Sequence, residues 1–217
     1  MKFFLVCFCV LFLFGSCGKQ KNTKLADTYF KMGFFEVGQD PEADQACKRA
    51  LAYVDQALAQ DQRAEYHAFR ATLLFKLGDS PNSEESFKKA LSLAPTQDLR
   101  AEIMNNYACL LPSRGKIAQA QEIWKALAQN TAYQTPEVAL VNLGKTYVQV
   151  KDYATARELF NKAVRLSPSY VDAHFYLASA DFELGQHARA QQELDTVLAL
   201  EPEHYGAQGL AQNLKKA

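Results

Sequence analysis

From about residue 24 onward, apolar side chains return at three- and four-residue spacing, in short runs separated by polar or proline-bearing turns. That period predicts a series of amphipathic helices rather than strands. The runs are also self-similar. ALVNLGKTYVQVKDYATARELFNKAVRLSP (139–168) aligns with AHFYLASADFELGQHARAQQELDTVLALEP (173–202) at an offset of 34 residues with no gap. Gly144 falls on Ala178, Ala156 on Ala190, Phe160 on Leu194 and Pro168 on Pro202.

The same pattern can be followed toward the N-terminus. YHAFRATLLFKLGDSPNSEESFKKALSLAP (66–95) carries small residues at Ala71, Ser83 and Ala90, and Ser80-Pro81 reads as a helix start, a cap followed by proline in the first turn. IMNNYACLLPSRGKIAQAQEIWKALA (103–128) has Ala108 and Ala120 as its small pair and Trp124 as its large residue. Pro112 falls where its first helix should still run, so that helix is expected to end near Leu111. LADTYFKMGFFEVGQDPEADQACKRALAYVDQALAQD (25–61) reads as a degenerate first unit with a longer region between its helices, around 38–42, and GAQGLAQNLKKA reads as a capping helix.

These units resemble the tetratricopeptide repeat. In 139–168, Leu140, Leu143, Gly144, Tyr147, Tyr153, Ala156, Phe160, Ala163 and Pro168 all fall on signature places of that family. The signature has a physical reading. The two helices of a repeat cross closely, and only a small side chain such as Gly144 or Ala156 fits where their backbones approach. Pro168 stops the second helix, because a proline inside it would cost about 3 kcal/mol. Asp152 stands before the second helix, where its carboxylate can accept from free backbone N–H groups. The resemblance implies an all-α superhelix of about five helix-turn-helix repeats, near 24–63, 64–97, 101–134, 137–170 and 171–204, with a C-terminal cap over 205–217.

The N-terminus follows a different pattern. Lys2 precedes an unbroken apolar segment from Phe3 to Phe14, shorter than the roughly 20 residues a membrane-spanning helix needs and suited to a secretory signal. Gly15 and Ser16 are small, and Cys17 follows directly. This resembles the bacterial lipobox, with Phe14 standing where that motif usually has leucine. The resemblance implies a signal peptide over 1–16, diacylglyceryl attachment at Cys17 and a lipidated tether over 17–23, ahead of a repeat domain over 24–217. Acyl chains add membrane affinity at about 0.8 kcal/mol per buried methylene. Gly18 is not the inner-membrane retention aspartate of enteric lipoproteins, so the resemblance points to the outer membrane, facing the periplasm. The alternative is an ordinary signal peptide that ends near a cysteine. Cys47 and Cys109 would remain in the mature chain. They could pair in an oxidising compartment, or stay as thiols in non-adjacent repeats whose Cα atoms lie too far apart to bridge.

Charge and candidate chemistry narrow the function. Lys+Arg and Asp+Glu balance at 24 each, which gives no basic excess for nucleic acid and no acidic tail. His67, His174, His187 and His204 form no metal-ligand spacing, and His174 occupies a large-residue place of its repeat, as a packed core histidine would. No phosphate-binding glycine loop or nucleophile elbow occurs. The expectation is a binding protein with no catalytic residues, no metal and no cofactor.

The repeat resemblance implies that the first helix of each pair lines a concave groove. The places that commonly face a ligand are occupied here by Phe69 and Phe75; Asn105 and Asn106; Val141, Asn142, Lys145 and Val148; and Phe175, Tyr176, Ser179 and Phe182. Asn106 and Asn142 recur at one place in neighbouring repeats. A carboxamide donates and accepts, so it can pair with an extended peptide backbone without reading its side chains. The other reading is that asparagine is common at this place and that the aromatic residues pack between repeats.

A lipidated chain built almost wholly of these repeats resembles the type IV pilus pilotin family (PilF/PilW/Tgl). MNNYACLL (104–111) resembles that family's NNYG segment, with Ala108 where glycine is frequent, and AYQTPEVALVNLGKTY (132–147) resembles its Y-x-x-P segment leading into an N-x-G helix. The resemblance implies a secretin, the ring-forming channel of the pilus, as partner, with the chain assisting its localisation or assembly. The alternative is a scaffold lipoprotein of another envelope machine, in barrel assembly or cell-wall enzyme regulation.

Overall fold

The computed structural model describes residues 21–40 and 43–216. Among them the regular structure is helical throughout: α1 (Thr23–Gln39), α2 (Asp44–Gln60), α3 (Ala64–Lys76), α4 (Ser80–Leu93), α5 (Gln97–Leu110), a 3-10 turn (Leu111–Arg114), α6 (Ile117–Leu127), α7 (Pro136–Gln149), α8 (Tyr153–Leu166), α9 (Val171–Glu183), α10 (His187–Leu200) and α11 (Tyr205–Leu214). The signal segment and Cys17 lie outside the described residues.

Consecutive helices pack as antiparallel pairs, and contacts of α3 with α5, α7 with α9 and α9 with α11 stack the pairs into a superhelix. Where the two helices of a pair cross, the residues are small. Gly33, Ala71, Ala108, Gly144 and Ala178 are all buried. A Cβ on Gly144 would come within 2.4 Å of the Phe160 ring, and one on Gly33 within 3.2 Å of the Ala50 carbonyl oxygen. Large residues fill the seam one turn away: Phe87, Trp124, Phe160 and Leu194 are 3% exposed or less. The degenerate first unit keeps its small residue in Gly33 and has the short side chain of Ala50 opposite it, which lets α1 and α2 pack closely.

The tight turns inside four pairs share one geometry. The backbone N–H groups of Asp79, Lys116, Asp152 and Gln186 bond back to the carbonyls of Leu74, Leu111, Tyr147 and Asp181 at 2.8–2.9 Å. The preceding residue takes positive φ: Gly78 (80°), Gly115 (72°), Lys151 (61°) and Gly185 (72°). Only Lys151 is not glycine.

Asp152 caps α8 by accepting from the Thr155 N–H at 3.1 Å. The start of α4 lies one residue earlier than Ser80-Pro81 suggests. Asp79 is the cap, accepting from the Asn82 N–H at 3.3 Å and from its Nδ2 at 2.7 Å, so Ser80 and Pro81 become the first two helical residues. α5 ends at Leu110, and Pro112 sits in the 3-10 turn that Gly115 closes. Cys47 and Cys109 are not joined by a disulfide.

Candidate functional groove

The first helices α1, α3 and α5 enclose a cleft of about 500 Å³. Its walls are mostly apolar, built from Phe30, Phe34, Phe69, Leu99 and Ile103, and Glu65, Glu102 and Asn106 stand among them as polar lining. The aromatic wall is organised. The Phe34 ring stacks on Phe69 with centroids 4.2 Å apart and planes 11° apart, and Phe30 meets both edge-on at 4.9 and 5.7 Å. Phe34 remains 52% exposed and the adjoining Phe35 66%. An apolar surface left open on a rigid backbone is what a protein ligand's apolar anchors seek.

Polar contacts beneath the wall hold it in place. Phe30 packs on Tyr66 at 4.6 Å. The Tyr66 hydroxyl donates to Asp27 Oδ1 at 2.6 Å, and Arg63 donates to the same oxygen at 3.0 Å. Burial, then donation to the Asp27 carboxylate, pushes the Tyr66 phenol well above its ordinary pKa, so it stays a donor at any physiological pH. α1 is thereby tied to α3 at the base of the groove.

The residues singled out from the sequence separate in space. Phe69 and Asn106 line this cleft, with Asn106 exposed. Two of the expected groove residues are corrected, because they face the core. Val141 is 2% exposed, packed among Leu140, Phe160 and Leu177. Asn105 is 8% exposed, and its Oδ1 accepts from Trp124 Nε1 at 3.1 Å and Asn142 Nδ2 at 3.2 Å. The physical reason is that an indole N–H buried in the seam of α5 and α6 requires an acceptor, and Asn105 supplies it. Asn142 is half-buried and spends its NH₂ on Asn105 and on Cys109 Sγ at 3.8 Å. Phe75 and Val148 are half-buried against core residues.

The remainder cluster toward the C-terminal end. Lys145 Nζ lies 5.1 Å from the Tyr176 ring centroid, and Tyr176 stacks on Phe160 at 5.6 Å. Phe175 packs on His204 at 4.7 Å and closely over Gly206 of α11, Ser179 donates back to the Phe175 carbonyl, and Phe182 stacks on His187 at 5.5 Å. These side chains dock the last helices as well as presenting an edge to solvent.

Phe30 and Phe34 were not among the residues singled out. Their signal was present, two phenylalanines four apart in TYFKMGFF, on one face of α1. His174 is buried, its Nδ1 2.6 Å from Glu193 Oε2 and its Nε2 3.0 Å from the Pro168 carbonyl. Among the described residues no group of three His, Cys, Asp or Glu side chains could hold a metal ion, and no helix is long and apolar enough to cross a membrane.

The chain is homologous to "Type IV pilus assembly protein PilF" of Pseudomonas aeruginosa, 25% identical over 171 residues that make up 78% of this chain and 64% of that protein. It therefore spans less than two thirds of that relative's length. The solved structures that share the fold include two pilus proteins. The structure reported under "Functional Characterization of Pseudomonas Aeruginosa pilF" superposes with a TM-score of 0.72 at 22% identity, covering 89% of this chain and 84% of the other. PilW, described as a "widely conserved type IV pilus biogenesis factor", superposes with a TM-score of 0.70 at 21% identity, covering 89% and 90%. Family descriptions of the tetratricopeptide repeat match residues 45–98, 108–171 and 147–214. Those stretches take in more than half of the sequence, and the chain belongs to the tetratricopeptide repeat family.

Proposed function

We propose that this chain is a non-enzymatic assembly factor of the type IV pilus, an outer-membrane lipoprotein anchored through Cys17 that holds a secretin subunit in the α1–α3–α5 groove. The observation that carries the reading is the open aromatic wall of Phe30, Phe34 and Phe69 on a repeat scaffold homologous to a pilus assembly protein. An extended or helical partner segment would place apolar anchors against that wall and its backbone near the Asn106 carboxamide. The anchor would confine scaffold and client to one surface and raise their effective concentration.

Deletion of the gene, followed by a blot for the heat-resistant secretin ring in outer-membrane fractions, tests the role. Loss of rings with accumulation of monomers is the expected result; normal rings and normal pili would sink it. Cys17→Ala should reduce the rings in part, through loss of the anchor. Phe34→Asp, at an exposed position, should reduce them while leaving the fold intact. If deletion reduces rings and Phe34→Asp does not, the role stands and the groove is the wrong site.

A further inference from the structure

A second concavity lies between the second helices α6 and α8, with α7 as its floor, away from the aromatic groove. Its volume is about 490 Å³. Leu140, Leu143 and Tyr147 of α7 and Leu159 and Leu166 of α8 supply an apolar lining, and Leu166 is 56% exposed at the rim. Lys125, Lys162 and Arg165 are the charged groups of the lining; Lys125 pairs with Glu122 of its own helix at 3.0 Å, which leaves Lys162 and Arg165 as the cations facing the trough. The comparable cleft beside α2 and α4 differs. There Arg70, Lys88 and Lys89 are mixed with Glu85, Gln62, His67 and Asn82, so its charge is locally offset. The local reason for the trough is length: α6 has 11 residues where α4, α8 and α10 have 14, so it stops about 4.5 Å short and leaves the faces of α7 and α8 uncovered.

We propose that this trough is a second docking site, for a short segment of a protein partner in which carboxylates flank leucine-type anchors. Charge complementarity selects the acidic flanks: Lys162 and Arg165 stand along the α8 rim of the apolar floor with no carboxylate in the lining, and each would meet a carboxylate of the segment. Shape selects a chain segment over a compact molecule. The lining runs along α8 from Thr155 to Leu166, about 16 Å of open helix face, which a laid-down segment can follow while one side of it stays in water. Two sites on different helices would let the scaffold hold two segments at once, and avidity then multiplies their affinities.

The test is a selection of a random peptide library displayed on phage against the immobilised full chain, run in parallel against Lys162→Glu/Arg165→Glu. Both positions are exposed, so the variant should keep the parent's circular dichroism and unfolding temperature. The expected result is enrichment, on the parent alone, of peptides with Asp or Glu beside Leu, Ile or Phe. A synthetic copy of the best should bind at least tenfold more weakly to the double variant and to Leu166→Asp, and more weakly as salt rises, yet equally well to Phe34→Asp. Peptides that bind the parent and the double variant alike, or whose binding is lost with Phe34→Asp, would overturn the proposal. So would binding of laurate at the trough with no peptide enriched, which would make it a site for a small anionic amphiphile. Failure here leaves the aromatic groove and its role untouched, because the two sites share no residue.

Discussion

At the scale of single residues, the crossing of α7 and α8 depends on the missing side chain of Gly144. Phe160 is fully buried and cannot swing away from the 2.4 Å approach of an added Cβ. Gly144→Ala should therefore destabilise the protein by about 1–3 kcal/mol despite alanine's better helix propensity, read as a lower unfolding temperature. Glu84 is a different kind of fixed point. Its carboxylate is 6% exposed and receives Lys116 at 2.8 Å, Lys88 at 3.0 Å and Arg114 at 3.4 Å, with the Tyr107 hydroxyl at 3.3 Å. Those donors, Lys116 and Lys88 foremost, hold its pKa down at about 2. A depressed carboxylate pKa stabilises the fold fully above the unfolded value and progressively less as pH falls through the folded one. The advantage of the parent over Glu84→Gln, about 1–2 kcal/mol near neutrality because the lysines stay partly in water, should therefore shrink between pH 4.5 and pH 2, followed by denaturant titration at several pH values.

At the scale of elements, the caps and turns repeat more faithfully than the side chains around them. Asp152→Ala should cost about 1 kcal/mol through loss of the bond to the Thr155 N–H. Lys151 holds the left-handed position that glycine fills in the other three turns of this geometry. Lys151→Gly should raise the unfolding temperature, by the equivalent of about 0.5–1 kcal/mol, since relief of the left-handed strain exceeds the added freedom of the unfolded chain. Helix ends were legible where proline or an acidic cap marks them, at Pro112, Asp152 and Pro168. They were misplaced by one residue where two capping residues, Asp79 and Ser80, stand side by side, because choosing between them depends on which side chain reaches the free N–H groups.

At the scale of the whole molecule, stability is a chain of neighbour interfaces, so the loss of one buried ion pair is felt first at the interface that holds it. Between α8 and α9, Arg157 Nε lies 2.5 Å from Asp181 Oδ1, and Asp181 is 2% exposed. Arg157→Ala would leave a buried charge without its partner and should cost about 3 kcal/mol. Hydrogen exchange should show the loss concentrated in α8–α11 rather than in α1–α4, because the repeats couple only to their neighbours.

The helical character, the repeat length, the small residues at the crossings of the last four pairs and the proline stops were determined by sequence alone, because each is a local or periodic requirement that a run of residues states directly. Which polar and aromatic side chains face a partner was decided only by the tertiary structure. Asn105 and Asn106 are adjacent in sequence, yet one is consumed by the buried Trp124 indole and the other lines the groove. Val141 looks like a groove residue until the stacking of α9 on α7 and α8 buries it. Phe34 becomes a wall of the groove only because α3 brings Phe69 flat against it. Exposure in an array is set by the neighbouring repeat, and a helix does not carry in its own sequence the identity of the surface that will cover it.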